Sequence, residues 1–196
     1  MYKMIRSNQG FTVAEMFLAV LIAGIITSAI STFIMIHIKT YEETKNIIDL
    51  QYEGQTALNQ MAKTAMESAG VHNMNGVTDL SLITTEQAVD GVDEFIAFKQ
   101  ITGYDITEQP TYIYHIFTMK SNDQIRYSTS VNSDLSSAID RGIFAINIIS
   151  MRFTPGKNNA TSNESFETAR SIEIEFSFIN DGSDLNVKTQ AKFRNK

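Results

Sequence analysis

Glu15 is the only acidic residue among the first 41 of this 196-residue chain. It stands directly before a run from Met16 to Ile36 that contains no charged side chain. A carboxylate at the edge of so long an apolar run is costly to keep ionised unless it meets water or a cation. Two chemistries follow. The side chain snorkels to a polar surface, or it is an acid kept there for a function. Upstream lie two basic residues, Lys3 and Arg6, and then Gly10 and Phe11.

Other chemistry is sparse. His37, His72 and His115 are widely separated, with no metal-ligand spacing, and each reads as a structural histidine. No Gly-x-Ser-x-Gly, P-loop or His-Glu-x-x-His pattern occurs. The absence of cysteine removes disulfides and any Cys-ligated zinc or iron–sulfur centre. Asp181-Gly182-Ser183-Asp184 offers two readings: oxygen ligands for calcium, with Asp181 and Asp184 as the weak metal candidates, or a plain turn. Asn159-Ala160-Thr161 and Asn163-Glu164-Ser165 fit the N-glycosylation pattern in a polar stretch. No catalytic constellation and no cofactor is expected.

The elements that place Glu15 are legible. Met16 to Ile36 is 21 residues long, about 30 Å as a helix, the thickness of a bilayer's hydrocarbon core. Lys3 and Arg6 on the short side orient that end toward the cytoplasm. A secretory signal would have a shorter apolar region followed by a small-residue cleavage site. Here the run passes directly into Thr40-Tyr41-Glu42-Glu43. Net charge is −6, of which residues 1–38 contribute +1, so the remainder carries −7. No basic stripe interleaved with aromatics is present, so a nucleic-acid partner is not expected.

Beyond Ile38 the pattern turns amphipathic. Tyr41, Ile48, Tyr52, Leu58, Met61, Ala65 and Ala69 recur mostly at three- and four-residue steps, with charges between them. The only prolines are Pro110 and Pro155, so one helix from Phe11 to about Ala69 is permitted, with Gly70 as its C-cap. Gly24 and Gly54 are the soft points. A coiled coil is the alternative for the second half, although its heptads are irregular and Gly54 interrupts them.

The remainder reads as strands and turns. Segments 94–99, 111–117 and 124–129 are rich in β-branched and aromatic residues, the last two joined by a turn at Ser121-Asn122-Asp123. Ile143 to Phe153 reads as one longer strand. Ser171 to Phe178 alternates strictly, and Leu185 to Phe193 alternates again after Asn180-Asp181-Gly182-Ser183-Asp184, which predicts a hairpin with one buried face. Thr154 to Thr168 reads as a polar loop. The fold class is α+β: a long helix whose second half packs Leu58, Met61, Ala65 and Ala69 against Ile172, Ile174, Phe176 and Phe178 of an antiparallel sheet.

Gly10-Phe11-Thr12-Val13-Ala14-Glu15, after a basic leader and before an apolar span, resembles the signal of the type IV pilin and pseudopilin superfamily. Gln55 to Gly70 and the ending Ala191-Lys192-Phe193-Arg194-Asn195 are similar to W-type minor pilins and J-type pseudopilins of type II secretion. The resemblance implies cleavage after Gly10, N-methylation of Phe11, and pairing of that new terminus with Glu15 of a neighbouring subunit. It divides the chain into a removed leader (1–10), a transmembrane helical half (11–38), an amphipathic helical half (39–69) and an extracytoplasmic head (70–196). It implies as partners a prepilin peptidase and N-methylase, other pilin subunits, an inner-membrane assembly platform and the lipid bilayer. Localisation would be the bacterial inner membrane, then a surface or periplasmic filament. This chain lacks the helix-breaking proline that type IV pilins often carry. It also lacks the C-terminal cysteine pair of classical major pilins, which, with a mature length of 186 residues, favours a minor role. The rival expectation is a single-pass anchored extracytoplasmic binding protein or enzyme acting alone, which needs neither the cleavage nor the acid.

Overall fold

The computed structural model describes residues 11–121, 123–159, 162–180 and 183–194. It has one long N-terminal helix packed on an antiparallel β head, an α+β fold. The chain divides into two compact units after Asn46. The part before that point is helical, and the part after it holds the rest of the helix with every strand.

Helix α1 (Val13–Glu67) runs for 55 residues, uninterrupted because no proline removes a backbone donor. In its second part the residues buried are Gly54, Ala57, Leu58, Met61, Ala62 and Ala65, one stripe at three- and four-residue spacing. Its end is tied to the head. Ser68 N–H donates to the Ala65 carbonyl at 3.1 Å, and Ala69 N–H to the Lys99 carbonyl at 2.7 Å. Arg194 N–H satisfies the carbonyl of Met66 at 3.0 Å, one of the groups a helix end leaves open. Gly70 is not a C-cap, as the sequence suggested. It opens the first strand at φ 137°, paired with Lys99, because the chain turns straight into sheet.

The strands are β1 (Gly70–Met74), β2 (Gln87–Val89), β3 (Phe95–Tyr104), β4 (Pro110–Lys120), β5 (Gln124–Ser130), β6 (Ile139–Ala145), β7 (Ile148–Pro155), β8 (Lys157–Asn159), β9 (Ser162–Asn163), β10 (Ser171–Asn180) and β11 (Ser183–Lys192). They form a five-stranded sheet in the order β1-β3-β4-β5-β6, a four-stranded sheet in the order β11-β10-β7-β2, and the small pair β8-β9. All pairings are antiparallel.

Two expectations change here. The run from Ile143 to Phe153 is two strands, not one. It breaks at Asn147, whose φ of 60° suits asparagine far better than a β-branched residue. There the chain leaves the five-stranded sheet for the four-stranded one. The stretch from Thr154 to Thr168 is likewise not all loop. It contains β8 and β9, and it buries Phe166, whose N–H donates to the Ile83 carbonyl at 3.1 Å.

The last hairpin is as its alternation requires. β10 faces β11 from Ser171↔Lys192 to Asn180↔Ser183 without a slip, and Ile172, Ile174, Phe176 and Phe178 are all buried. They share one core with Leu58, Met61 and Ala65 of α1. Edge-to-face rings join the two sheets there, with Phe98 to Phe153 at 6.5 Å. Each of these large side chains contributes about 1.5–3 kcal/mol by leaving water.

Candidate functional site

The described part of the predicted site begins at Phe11. Thr12 precedes the first helical residue and acts as the N-cap. Its backbone N–H donates to Glu15 Oε2 at 2.9 Å, and its hydroxyl donates to the same oxygen at 3.0 Å. In return, Glu15 N–H donates to Thr12 Oγ1 at 3.3 Å. Helix propagation starts with Met16 N–H on the Thr12 carbonyl at 3.1 Å. This is a capping box, Thr-x-x-Glu, in which each residue satisfies an open donor of the other.

Glu15 therefore does two things that its isolation in the sequence did not separate. Its carboxylate closes the first turn, and its negative charge sits at the positive end of the helix dipole. Thr12 bonds only to Oε2, so Oε1 and the exposed position leave the carboxylate able to face a further cation. The capping role was readable from Thr12-Val13-Ala14-Glu15 alone, and Thr12 is the site residue that reasoning about charge passed over.

Phe11 is 84% exposed, and the large apolar side chains from Val13 to Ile38 are exposed as well. The helix is long and apolar enough to cross a membrane, with a mean hydropathy of 2.3 over its most apolar window, none of it buried. An apolar stretch of that size needs lipid or protein around it. Thr27 and Thr32 turn their hydroxyls back to the carbonyls of Ala23 and Ser28, at 2.8 and 3.0 Å, so these polar groups are satisfied within the helix.

Gly10 and the leader charges Lys3 and Arg6 lie outside the described residues, as does Asp181. Asp184 belongs to β11, across from Ile179, and its side chain is not described. The structure therefore brings Phe11, Thr12 and Glu15 together at the start of α1, while Asp184 belongs to the β10–β11 hairpin.

The histidines occupy separate environments. His37 stacks edge-on against Phe33 at 4.1 Å within α1. His72 Nε2 meets the Ser133 carbonyl at 2.8 Å. His115 lies between Gln100 Oε1 and the Tyr127 hydroxyl, each at 2.6 Å. Because a carbonyl oxygen only accepts, Nε2 carries the proton, and Nδ1 takes the Tyr127 O–H. Burial pushes the His115 pKa down, partly opposed by the negative charge of Glu67. Among the described residues, no group of three or more His, Asp or Glu is placed to hold a metal.

A cavity of about 320 Å³ opens beside the amphipathic half of α1. Tyr52, Gly54 and Ala57 line one side of it, and Ile143, Phe144 and Ile146 the other. Its rim carries exposed apolar surface at Tyr52, Ile143 and Ile146.

No family model, curated protein or solved structure matches the chain. What it does rests on its own residues.

Proposed function

We propose that this chain is a minor pilin or pseudopilin, a structural subunit of a type IV pilus or a related secretion or competence filament. The observation that carries the reading is the conjunction at the head of α1. A membrane-length apolar helix is preceded by an exposed Phe11, and Glu15 sits in its first turn. A prepilin peptidase cutting after Gly10 on the cytoplasmic face leaves that whole helix attached, so the subunit waits in the inner membrane with its head outside.

Assembly then follows from electrostatics. The new amine at Phe11 is a cation among packed apolar helices, and an unpaired charge there is strongly unfavourable. Glu15 of an adjacent subunit neutralises it and fixes axial register, while the apolar faces supply cohesion. Minor or pseudopilin status is supported by the absence of the cysteine pair and by the likeness of the helix end and terminal strand to those groups. The protein works by building and not by turnover, so no catalytic residue is assigned.

The reading is tested by shearing filaments from cells that express the chain with its own assembly machinery. The wild-type protein is expected in the filament fraction, and a Gly10→Phe variant is expected to stay in the membrane at full length. Equal recovery of both in the membrane alone would favour the solitary anchor.

A further inference from the structure

A second concavity, of about 740 Å³, lies far along the chain from Glu15. One wall is the end of the β3–β4 pair, with Thr111, Tyr112 and Tyr114. The other is the segment after β5, with Asn132, Ser133 and Asp134. The rings of Tyr112 and Tyr114 are 6.3 Å apart at a tilt of 39°.

The loop wall is fixed by its own bonds. His72 holds the Ser133 carbonyl and packs its ring 4.4 Å from Tyr114. Asn132 N–H donates to Ser130 Oγ at 3.1 Å, and Leu135 N–H donates back to the Asn132 carbonyl at 3.1 Å. Leu135 is at φ 60°, a conformation that a branched residue holds only when its surroundings impose it. Asp134 Oδ1 accepts from both the Ser136 N–H, at 3.1 Å, and the Ser136 hydroxyl, at 2.8 Å.

Against this rigidity, the groups that face a ligand are unspent. The side-chain amide of Asn132 and the hydroxyls of Tyr112 and Tyr114 make no hydrogen bond to a described residue. Asp134 keeps its second oxygen, and the bonds from Ser136 hold its carboxyl below the usual range, so it stays ionised as an acceptor. No lysine or arginine lines the groove, and the one charge there is negative, which disfavours phosphates, nucleic acids and acidic sugars. A single carboxylate already occupied by Ser136 does not make a cation site. What remains is the half-buried ring of Tyr112, backed by the buried Tyr114, beside a planar amide, a carboxylate and the tyrosine hydroxyls. That set suits a molecule with an apolar face and a rim of groups that both donate and accept.

We propose that this groove binds a neutral saccharide, with a pyranose ring laid against the half-buried Tyr112 and its hydroxyls meeting Asn132 and Asp134. The C–H face of the sugar covers the Tyr112 ring, and vicinal hydroxyls bridge the amide and the carboxylate. Ordered walls keep the cost of binding low, because little has to be immobilised.

The test is retention of the full chain, in micelles of a zwitterionic detergent without a sugar headgroup, on immobilised neutral mono- to trisaccharides of glucose, galactose, mannose and N-acetylglucosamine. Retention on at least one, released by the same free sugar, is expected. Tyr112→Ala and Asn132→Ala are each expected to weaken it about tenfold, the effect of losing one well-placed partner. Asn132 is exposed and its side chain makes no hydrogen bond to a described residue, so that variant decides the matter should Tyr112→Ala fail to fold. Retention on none of the sugars, retention unchanged by Asn132→Ala, or capture by immobilised neutral peptides instead of sugars would overturn the proposal.

Discussion

The ring of Phe178 occupies the place where a β-carbon on Gly54 would be, with Cζ only 2.2 Å from that position. Gly54 is therefore a packing glycine in the middle of α1, set where the β10–β11 hairpin reaches the helix. A helix interior normally disfavours glycine by about 1 kcal/mol relative to alanine. Here the fully buried aromatic ring more than offsets that cost.

Gly54→Ala accordingly lowers stability despite the better helix former. Overpacking in a filled core costs about 1–3 kcal/mol, which exceeds the propensity gained. Thermal melting by circular dichroism is expected to show the loss. A Gly54→Ala/Phe178→Leu double variant should be more stable than the sum of its two single changes, since the smaller side chain vacates the contested space. Strict additivity would mean the ring does not hold that position.

Much of this architecture was legible beforehand, and the failures have physical causes. The β10–β11 hairpin was plain because Ile172, Ile174, Phe176 and Phe178 alternate with polar residues around a single buried face. The Ile143–Phe153 run gave no such guide. A nearly continuous apolar stretch has no period to break, and only the tolerance of Asn147 for positive φ marked the corner. Partition of the strands into two sheets is decided by contacts distant in sequence, such as Phe98 on Phe153, that no local pattern encodes. Glu15 stood out for its charge, whereas its partnership with Thr12 needed the four-residue capping pattern to be recognised.

Charge and capping at Glu15 separate by mutation. Glutamine still closes a Thr-x-x-Gln capping box, so Glu15→Gln is expected to leave amide exchange at Thr12 and Met16 nearly as slow as in the wild type. Filament incorporation should nevertheless fall strongly, because the neutral side chain cannot offset a terminal amine. Thr12→Ala should do the reverse locally, fraying the first turn at a cost of about 1 kcal/mol, read by hydrogen exchange in lipid discs. Normal incorporation of Glu15→Gln would remove charge pairing from the account.

His115 gives the head a pH dependence of defined sign. Its folded pKa lies below the ordinary histidine value because burial opposes the cation. The unfolded chain therefore binds the proton first as pH falls. Stability from this residue is complete above about pH 6.5, the unfolded value, and is lost progressively as pH drops toward the folded value. The melting temperature of the head is expected to decline from pH 7.5 to pH 5.5, and His115→Gln should flatten that decline. An unaltered slope in the variant would assign the effect to another group.

Leu58→Ala tests the joint between helix and head. Leu58 is fully buried in the same core as Ile174 and Phe176, and its truncation should cost about 2–5 kcal/mol. Chemical denaturation followed by tyrosine fluorescence would read it as an earlier midpoint with an unchanged slope. A loss under about 1 kcal/mol would mean that Leu58 does not anchor the helix in that core.

The central claim concerns the first residue of the mature chain, and mass spectrometry of its N-terminal peptide tests it most directly. The protein would be purified from membranes of a host with an active prepilin peptidase. A peptide beginning at Phe11 and carrying one extra methyl group is the predicted result, and it places Glu15 one helical turn from a new terminal cation. A peptide beginning at Met1, with Lys3, Arg6 and Gly10 still attached, would contradict the account and leave a single-pass anchor in its place.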